Sequence, residues 1–505
     1  MARKTPKTSR HTEVERKFEV TESNGVESTV SPSFDGLNAV TRVERLPVQH
    51  LDAIYFDTPG RDLAAHRITL RRRTGGTDAG WHLKLPAGAD TRTEVRVPLG
   101  GDPDRDDVPD ELRDVVLAIV RDRPLAPVAR ISTHRTVDML FGPDGEAVAE
   151  FCDDEVTASA EGGAEQRWRE WELELVGAGD AALLDRLTNR VLDAGASPAG
   201  HGSKLGRVLD TGQTDHEVKT RAEDPVHRAV AEQVEELVTW DRAVRADVYD
   251  SVHQMRVTTR KIRSLLQSAE DVFGISDDAW VLDELRQLAA VLGVARDAEV
   301  LAERYEQALG ALPPELVRGP VRARLVDGAE RRYESGLRRS LIAMRSQRYF
   351  RLLDALEGLV AAEPPAAQKG KEPAPTTIDS AYKRVRKAAK RAAAAAEDIE
   401  HDEALHRIRK GAKRLRYTAA ATGAGKVSER AKTIQSLLGD HQDSVVSRTH
   451  LTQQSDVAHA AGEDTFTYGL LYQLETEVAD RAREQLDDAL RNLDKSVRKA
   501  GTKGT

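Results

Sequence analysis

The fold of the N-terminal half is decided by the stretch Glu13-Val14-Glu15-Arg16-Lys17-Phe18-Glu19-Val20, in which charged and apolar residues alternate. Successive side chains of an extended strand point to opposite faces. Glu13, Glu15 and Lys17 therefore lie on one face, and most of the apolar residues lie on the other. The stretch predicts a β-strand with an ionic face.

Short segments with the same alternation recur up to about residue 208. They span residues 53–56, 69–73, 81–85, 93–97, 147–152 and 168–176. Charged residues recur on one face of these segments, and six or more such strands favour a closed or nearly closed antiparallel barrel with a polar lumen. The expected N-terminal fold is therefore of the α+β class, with an antiparallel β-barrel tunnel.

The second half of the chain has a different periodicity. From Pro225 onward, apolar residues recur at spacings of three and four, which predicts amphipathic helices. Residues 209–224 are polar and lack a period, and we interpret them as a linker between domains at 10–208 and 225–500. A Pro-rich break at 362–377 interrupts the helical half.

The helical half also repeats itself. A histidine followed by cations occurs twice with identical spacing, as His253, Arg256, Arg260, Lys261 and Arg263 and again as His406, Arg409, Lys413, Arg414 and Arg416. A Leu-Gly pair followed by an aspartate recurs downstream of each copy, at Asp297 and at Asp443. The repeat predicts an all-α C-terminal domain of two related helical bundles.

Composition narrows the class of protein. A chain of 505 residues exceeds what one hydrophobic core usually organises, so two or three domains are expected. Cys152 is the only cysteine, which excludes an intramolecular disulfide, and the longest apolar run, 115–120, is too short to span a bilayer. These features fit a cytoplasmic protein with no membrane partner. The formal net charge of −9 disfavours nucleic acid as a partner but leaves room for a local basic patch.

Charges of both signs are expected inside the barrel. The candidate cations are Lys17, Arg71, Arg73, Lys84, Arg92, Arg130, Arg135 and Lys204, and the candidate carboxylates are Glu13, Glu15, Glu150, Asp153, Glu172 and Glu174. Arginine and lysine suit phosphate oxygens, whereas carboxylates suit Mg²⁺ or Mn²⁺. Together they predict a metal-phosphate site. On any single strand the same alternation is more often the solvated face of an antiparallel sheet, and its repetition over several strands favours the site.

The opening strand resembles the ExExK signature of CYTH domains, the triphosphate tunnel metalloenzymes. Further motifs follow in the order of that family over roughly residues 10–208, namely Tyr55-Phe56-Asp57-Thr58, Leu70-Arg71-Arg72-Arg73, Lys84, Arg92 with Glu94, the Glu-rich strand 170–175 and Ser203-Lys204. The resemblance implies an eight-stranded antiparallel tunnel. It also implies hydrolysis or cyclisation of triphosphate compounds with a divalent metal.

The resemblance assigns roles residue by residue. It implies metal ligation by Glu13, Glu15, Glu172 and Glu174, and phosphate binding by Lys17, Arg71, Arg73, Lys84, Arg92 and Lys204. Glu13, Glu15, Lys17 and Lys84 are the catalytic candidates, Arg130 and Arg135 are further substrate-binding candidates, and Glu150 and Asp153 are further metal ligands. The segment 150–155 matches the family pattern more loosely. It leaves both Asp153 and Asp154 open as the ligand.

The two basic stripes of the helical half resemble the CHAD domain over about residues 225–500. At 100° per residue the cations and the histidine of each stripe fall within an arc of about 80°. The resemblance implies polyphosphate binding by His253, Arg256, Arg260, Arg263, His406, Arg409, Lys413 and Arg416. One stripe alone also fits a solvated basic face. Few aromatic residues interleave with the cations, which favours a polyanion without bases over single-stranded nucleic acid.

The sequence therefore predicts a metal-dependent triphosphatase, acting on inorganic triphosphate or a related compound, joined to a polyphosphate-binding helical domain. Two alternatives remain open. The barrel could belong to an adenylate cyclase or a thiamine triphosphatase, or it could hold a polyphosphate end without catalysis. The carboxylates on the strand faces disfavour the last alternative, because pure anion binding would be weakened by so many negative groups.

Overall fold

A computed structural model describes residues 9–20, 31–100, 107–177, 181–210, 225–268, 273–275, 279–362, 378–394, 398–421 and 423–501. Residues 211–224 of the predicted linker and residues 363–377 of the Pro-rich break lie outside the described part. The chain forms two compact units, Met1–Ala290 with Ser340–Pro365, and Val291–Arg339 with Ala366–Thr505. The first unit therefore contains the N-terminal sheet and part of the helical half.

The N-terminal sheet is a closed barrel. Its strands are β1 Ser9–Glu19, β2 Arg42–Arg45, β3 Gln49–Asp57, β4 Thr69–Thr74, β5 Gly80–Pro86, β6 Thr91–Pro98, β7 Ala126–Phe141, β8 Ala147–Ala160, β9 Gln166–Leu175 and β10 Ser197–Pro198. Eight of them form the ring β1-β6-β5-β4-β3-β7-β8-β9, and β9 pairs back onto β1. β2 lies on β7 and β10 lies on β1. The predicted antiparallel barrel is confirmed.

The apolar strand faces point away from the barrel axis. Phe18 and Trp171 are almost fully buried in a core on the outer wall, where Leu187 of helix α4 (Ala181–Asp193) joins them. A second core lies on the inner side, where Tyr55 of β3 lines the lumen and packs with Leu205 of α5 (Lys204–Val208). Because the first core lies on the outer wall, the alternating ionic residues of its strands face the lumen.

A capped turn fixes the connection from β3 to β4. The buried Asp57 carboxylate accepts hydrogen bonds from the backbone N–H groups of Thr58, Leu63 and Ala64 at 2.7–2.9 Å. Leu63 and Ala64 belong to the short helix α1 (Asp62–Ala65), so Asp57 satisfies donors that the helix leaves unpaired. This turn sets where β4, with its arginines, begins.

The remaining chain is helical. The first unit adds α2 Asp110–Val115 and α3 Leu117–Val120, and the rest of the chain forms α6 Pro225–Arg245, α7 Ser251–Ser268, α8 Trp280–Ala311, α9 Val321–Met344, α10 Gln347–Ala361, α11 Ile378–Ala394, α12 Asp398–Ala421, α13 Gly425–Ala460 and α14 Phe466–Gly501. In the second unit, α11 to α14 share a core that includes Val385, Ile408, Ile434 and Leu493. The all-α C-terminal half is confirmed. None of the described helices is long and apolar enough to cross a membrane.

Candidate active site

The barrel lumen contains a cavity of about 450 Å³ lined mainly by charged side chains. From the predicted site it gathers Glu13, Glu15, Lys17, Arg71, Arg73, Lys84, Arg92, Arg135, Glu150, Glu172, Glu174 and Lys204. These residues come from seven of the eight ring strands and from α5. The structure thus places them around one space, although they are spread over almost 200 positions of the sequence.

Two predicted residues lie elsewhere, and their placement corrects the prediction. Arg130 lies on the outer wall of β7, and Asp153 on the outer wall of β8 forms a two-pronged ion pair with Arg169 at 2.6–2.8 Å. The reason is the two-residue period of a strand. Arg130 is five positions from the lumen-facing Arg135, and Asp153 is three positions from Glu150, so neither can share the inner face. Asp154, the open alternative, is the inward residue.

Three carboxylates surround one lysine at the wall of the lumen. Asp154, Glu170 and Glu172 have oxygens within 4.8 Å of one another, an arrangement that could hold a metal ion. The Lys204 ammonium lies 2.7–2.8 Å from all three. Burial disfavours the charge on Lys204, but these carboxylates outweigh it and hold its pKa well above the ordinary value. A protein cation therefore already lies at the centre of these three carboxylates.

Lys17 and Arg135 add two cations to this region. The Lys17 ammonium lies 3.0 Å from Glu15 and 2.5 Å from Glu172, and Arg135 makes two contacts of 2.6–2.7 Å with Asp154. Burial opposes ionisation of Glu15, but Lys17 and Lys84 dominate and lower its pKa to about 2. These carboxylates are ionised at neutral pH.

Two further lumen carboxylates, Glu174 and Glu150, have no ion-pair partner among the described residues. Glu15, Glu174 and Glu150 lie directly opposite one another on β1, β9 and β8, in one row facing the lumen. Burial, with repulsion from Glu13 and Glu15, raises the pKa of Glu174 to about 7. Burial also raises the pKa values of Glu150 and Glu13. Like charges in directly opposite positions destabilise a sheet unless a cation lies between them.

The opposite wall presents arginines with unused donors. Arg71 and Arg73 on β4 line the lumen, and the buried Nε–H group of each has no hydrogen-bond partner among the described residues. Their terminal nitrogens contact Tyr55 and Asp78. β4 is four strands from β9 in either direction around the ring, so these arginines face the glutamates of β9 across the tunnel. Buried donors without partners are costly unless a ligand satisfies them.

A buried histidine at the site was missed by the sequence analysis. His82 on β5 is 1% exposed, with Nδ1 2.9 Å from the Glu94 carboxylate and Nε2 2.9 Å from the Asp78 carbonyl. A carbonyl oxygen only accepts, so Nε2 donates. Glu94 also pairs with Arg96. The alternation in the sequence could have revealed it, because His82 is two residues before Lys84 and therefore lies on the same face of β5.

The first basic stripe lies on α7 in the first unit. Arg260 is exposed, and His253, Arg256 and Arg263 are partly buried. The Arg256 guanidinium donates to the Ala289 carbonyl at 3.3 Å. On this helix face, one of the arginines, Arg256, is therefore oriented by a backbone carbonyl group.

The second stripe lies on α12 in the second unit. His406 is exposed, while Arg409, Lys413 and Arg416 are partly buried. Burial and the neighbouring Lys410 and Arg409 lower the pKa of His406. On the same unit, α11 exposes six further cations, Lys383, Arg384, Arg386, Lys387, Lys390 and Arg391.

Asp297 and Asp443 of the repeated Leu-Gly elements do not cap helices. They lie inside α8 and α13, far from either helix end. The imidazole of His441, also within α13, accepts a hydrogen bond from Arg483 at 2.9 Å. Burial raises the pKa of Asp443, which lies near Arg409 of the second stripe. Its position inside α13 excludes a capping role, and its charge acts on Arg409 of the second stripe.

Comparison with known proteins agrees with this geometry. A CYTH domain matches residues 11–192 and a CHAD domain matches residues 228–452. The chain is 66% identical to "Uncharacterized protein Rv2226" of Mycobacterium tuberculosis, over 98% of this chain and 99% of that protein. Among solved structures, "PptA from Streptomyces chartreusis" aligns at 18% identity and a TM-score of 0.43, covering 53% of this chain and 98% of that one. The CHAD domain of the plant Ricinus communis aligns at 20% identity and a TM-score of 0.38, over 52% of this chain and 89% of that one. The family matches decide the assignment: the chain belongs to the proteins in which a CYTH domain is followed by a CHAD domain.

Proposed function

We propose that the barrel hydrolyses inorganic triphosphate, or a closely related triphosphate compound, with Mg²⁺ or Mn²⁺. One observation carries the proposal: among the described residues, the lumen has glutamates without an ion-pair partner on one wall and arginines with unused donors on the facing wall. Phosphate oxygens satisfy guanidinium donors, and a divalent cation compensates carboxylates. A metal-bound triphosphate supplies both partners at once.

We assign the metal ligands to Glu13 together with the row Glu15, Glu174 and Glu150, which offer hard oxygen donors. Burial raises the pKa values of Glu13, Glu150 and Glu174, and a divalent cation among them would favour their charged forms. Glu172 and Asp154 are less suited, because two or more protein cations contact each of them and hold its pKa below the ordinary value. When bound, the divalent ion polarises phosphoryl oxygens and lowers the pKa of a coordinated water.

The protein side chains position the phosphate chain. Arg71 and Arg73 bind its oxygens through the Nε–H groups that lack partners and stabilise the negative charge that develops during transfer. Lys84, 2.5 Å from Glu13, lies between the carboxylate row and the substrate and contributes positive charge there. Arg92 lies 3.5 Å from Glu15 and is held by the carbonyls of Arg67 and Gly202. Its guanidinium is thereby oriented for a phosphate at the tunnel mouth.

Phosphate release tests the catalytic proposal. We expect hydrolysis of triphosphate to need Mg²⁺ or Mn²⁺ and to fall at least about a hundredfold in Arg71→Ala and in Glu13→Ala, since each removes charge stabilisation of the transition state. Arg72→Ala is the matched control, because Arg72 lies on the outer face of the same strand. A Glu13→Ala protein as active as the parent would refute the assignment. Parallel assays with ATP and thiamine triphosphate separate the cyclase and thiamine triphosphatase alternatives, and absence of turnover with every compound would favour a binding protein.

We further propose that the helical half binds inorganic polyphosphate. The six exposed cations of α11 and the two basic stripes support this, because like charges at helical spacing repel one another unless a polyanion neutralises them. Replacing four stripe residues by alanine should abolish retention of the full-length protein on immobilised long-chain polyphosphate while triphosphate hydrolysis stays near the parental rate. The four positions are Arg256, Arg260, Arg409 and Lys413. Unchanged retention would refute the stripe assignment.

A further inference from the structure

The outer wall of the barrel carries a row of metal-ligand side chains that the lumen chemistry does not use. His50 on β3, His134 on β7 and Glu155 on β8 occupy directly opposite positions on three neighbouring strands. All three are exposed, and the residues that flank them in sequence, such as Leu51 and Arg135, face the lumen. The row is therefore separated from the tunnel by the sheet itself.

The two imidazoles are already close enough to share one cation. Nδ1 of His50 lies 3.2 Å from Nε2 of His134, and the ring centroids are 4.2 Å apart. With metal–nitrogen bonds of about 2.0–2.1 Å, this separation corresponds to a ligand–metal–ligand angle of about 100°, between the square-planar and tetrahedral values. A metal ion could take the place of the single proton that the two nitrogens share.

The backbone beneath the pair is fixed. Gly75, in the turn between β4 and β5, has a φ of +78°, and a Cβ there would lie 1.9 Å from the His50 carbonyl oxygen. The close approach of this turn holds β3 in place at His50. The ladder with β7 then holds His134 opposite it. The pair is thus presented by a rigid sheet, which favours metal binding because little ordering is required.

Glu155 is the candidate for the third ligand. Within the described part of the chain, its carboxylate makes no hydrogen bond or ion pair, unlike that of Asp153, which pairs with Arg169. Glu155 lies directly opposite His134 in the ladder, and its exposed side chain would have to rotate for a carboxylate oxygen to join the two imidazoles around one ion. Two imidazoles and one carboxylate, with a position left for water, form a ligand set of the kind that Zn²⁺ takes.

We propose that His50, His134 and Glu155 form a binding site for a borderline divalent transition metal of the Zn²⁺ class on the outer wall of the barrel. This site differs in chemistry from the lumen, where carboxylates alone suit hard ions such as Mg²⁺. The bound ion ties β3, β7 and β8 together, and His134 is adjacent to the lumen residue Arg135. Occupancy of the outer site therefore stiffens the strand that presents Arg135.

Calorimetric titration of the full-length, untagged protein with Zn²⁺ tests the proposal, in an excess of Mg²⁺ that occupies the lumen. We expect one Zn²⁺ per chain, and at least about tenfold weaker binding in both His50→Gln and His134→Gln, since each removes a ligand. Glu155→Gln should weaken binding as well. His459→Gln, a change of an exposed histidine of the second unit, is the matched control, and Glu174→Gln controls for the lumen.

Thermal unfolding gives a second readout. A ligand that binds only the folded state raises the unfolding midpoint, so Zn²⁺ should raise it in the parent and in His459→Gln but not in His134→Gln. The variants change exposed side chains, so their circular dichroism should match that of the parent. Equal Zn²⁺ affinity in the parent and both histidine variants would overturn the proposal. Absence of a stoichiometric Zn²⁺ site in the parent would overturn it as well.

Discussion

Replacing Glu174 by glutamine should stabilise the metal-free protein at alkaline pH, although the same change removes a proposed metal ligand. Glu174 lies between Glu15 and Glu150 in the lumen row, and burial together with repulsion from Glu13 raises its pKa from 4.5 to about 7. A folded-state pKa above the unfolded value means that the folded protein binds this proton more tightly. The folded state therefore loses stability as the pH rises through about 7.

The size of the effect follows from the difference between the two pKa values. At 1.36 kcal/mol per pH unit, ionised Glu174 costs the folded protein about 3 kcal/mol at pH 8. Glutamine has nearly the same shape and no charge, so Glu174→Gln should recover about 2 to 3 kcal/mol of unfolding free energy at that pH. At pH 5 the folded protein keeps the carboxyl group protonated while the unfolded chain is already partly ionised, so the gain should fall below about 1 kcal/mol.

This prediction is tested by measuring the free energy of unfolding in urea at pH 8 and pH 5, first with a chelator and then with Mg²⁺. Mg²⁺ should stabilise the parent at pH 8 and have a much smaller effect on Glu174→Gln, which should also fail to hydrolyse triphosphate. Glu161→Gln, on the exposed turn between β8 and β9, is the matched control and should change neither quantity. A loss of stability in Glu174→Gln at pH 8, or equal stabilisation of parent and variant by Mg²⁺, would refute the charge argument.

Three further predictions follow from the same geometry. Lys204→Met leaves three buried carboxylates short of a cation and should lower the unfolding free energy by about 3–5 kcal/mol in urea titrations. Lys261→Met, whose side chain is 43% exposed, should lower it by less than about 1 kcal/mol. Asp154→Asn should reduce triphosphate hydrolysis at least about tenfold, since it frees Arg135 and Lys204 from a charged partner, whereas Asp153→Asn on the outer wall should leave the rate unchanged. Retention of the protein on polyphosphate should fall steeply as the salt concentration rises. The Michaelis constant for triphosphate should change less, because salt ions screen the charges inside the lumen less than those on the helical surface.

Most of the barrel could be predicted from alternation alone. The strand 13–20 shows which residues share the ionic face, and the other strands repeat the pattern. The same rule, applied strictly, would have excluded Arg130 and Asp153, because each is an odd number of positions from an inward residue of its own strand. It would also have added His82, which is two positions from Lys84. These errors came from incomplete use of a signal that was present in the sequence.

Other features could not be predicted from the sequence, because they depend on how strands meet in space. Nothing in the order of residues shows that Lys204 lies among Asp154, Glu170 and Glu172, or that no cation of the described residues pairs with Glu174. Both facts depend on the register between β8, β9 and β1 and on the position of α5. Register is set by packing over the whole ring, which a local pattern does not contain. Residue types were therefore predictable, and their pairing was not.

The lumen has charges of both signs, but positive and negative groups contact one another in only part of it. Near Lys204 the opposite charges are in contact without a ligand. β9 and β4 lie on opposite walls of the ring, and among the described residues no ion pair joins a glutamate of β9 to Arg71 or Arg73. Moving the walls together would close the barrel lumen, which the ladder of backbone hydrogen bonds prevents. The separation is thus built into the closed sheet. Protonation of Glu174 relieves it on one wall, whereas a ligand that is positive on one side and negative on the other relieves it on both. A metal-bound triphosphate has that polarity, whereas a free polyanion would neutralise the arginines and repel the glutamates.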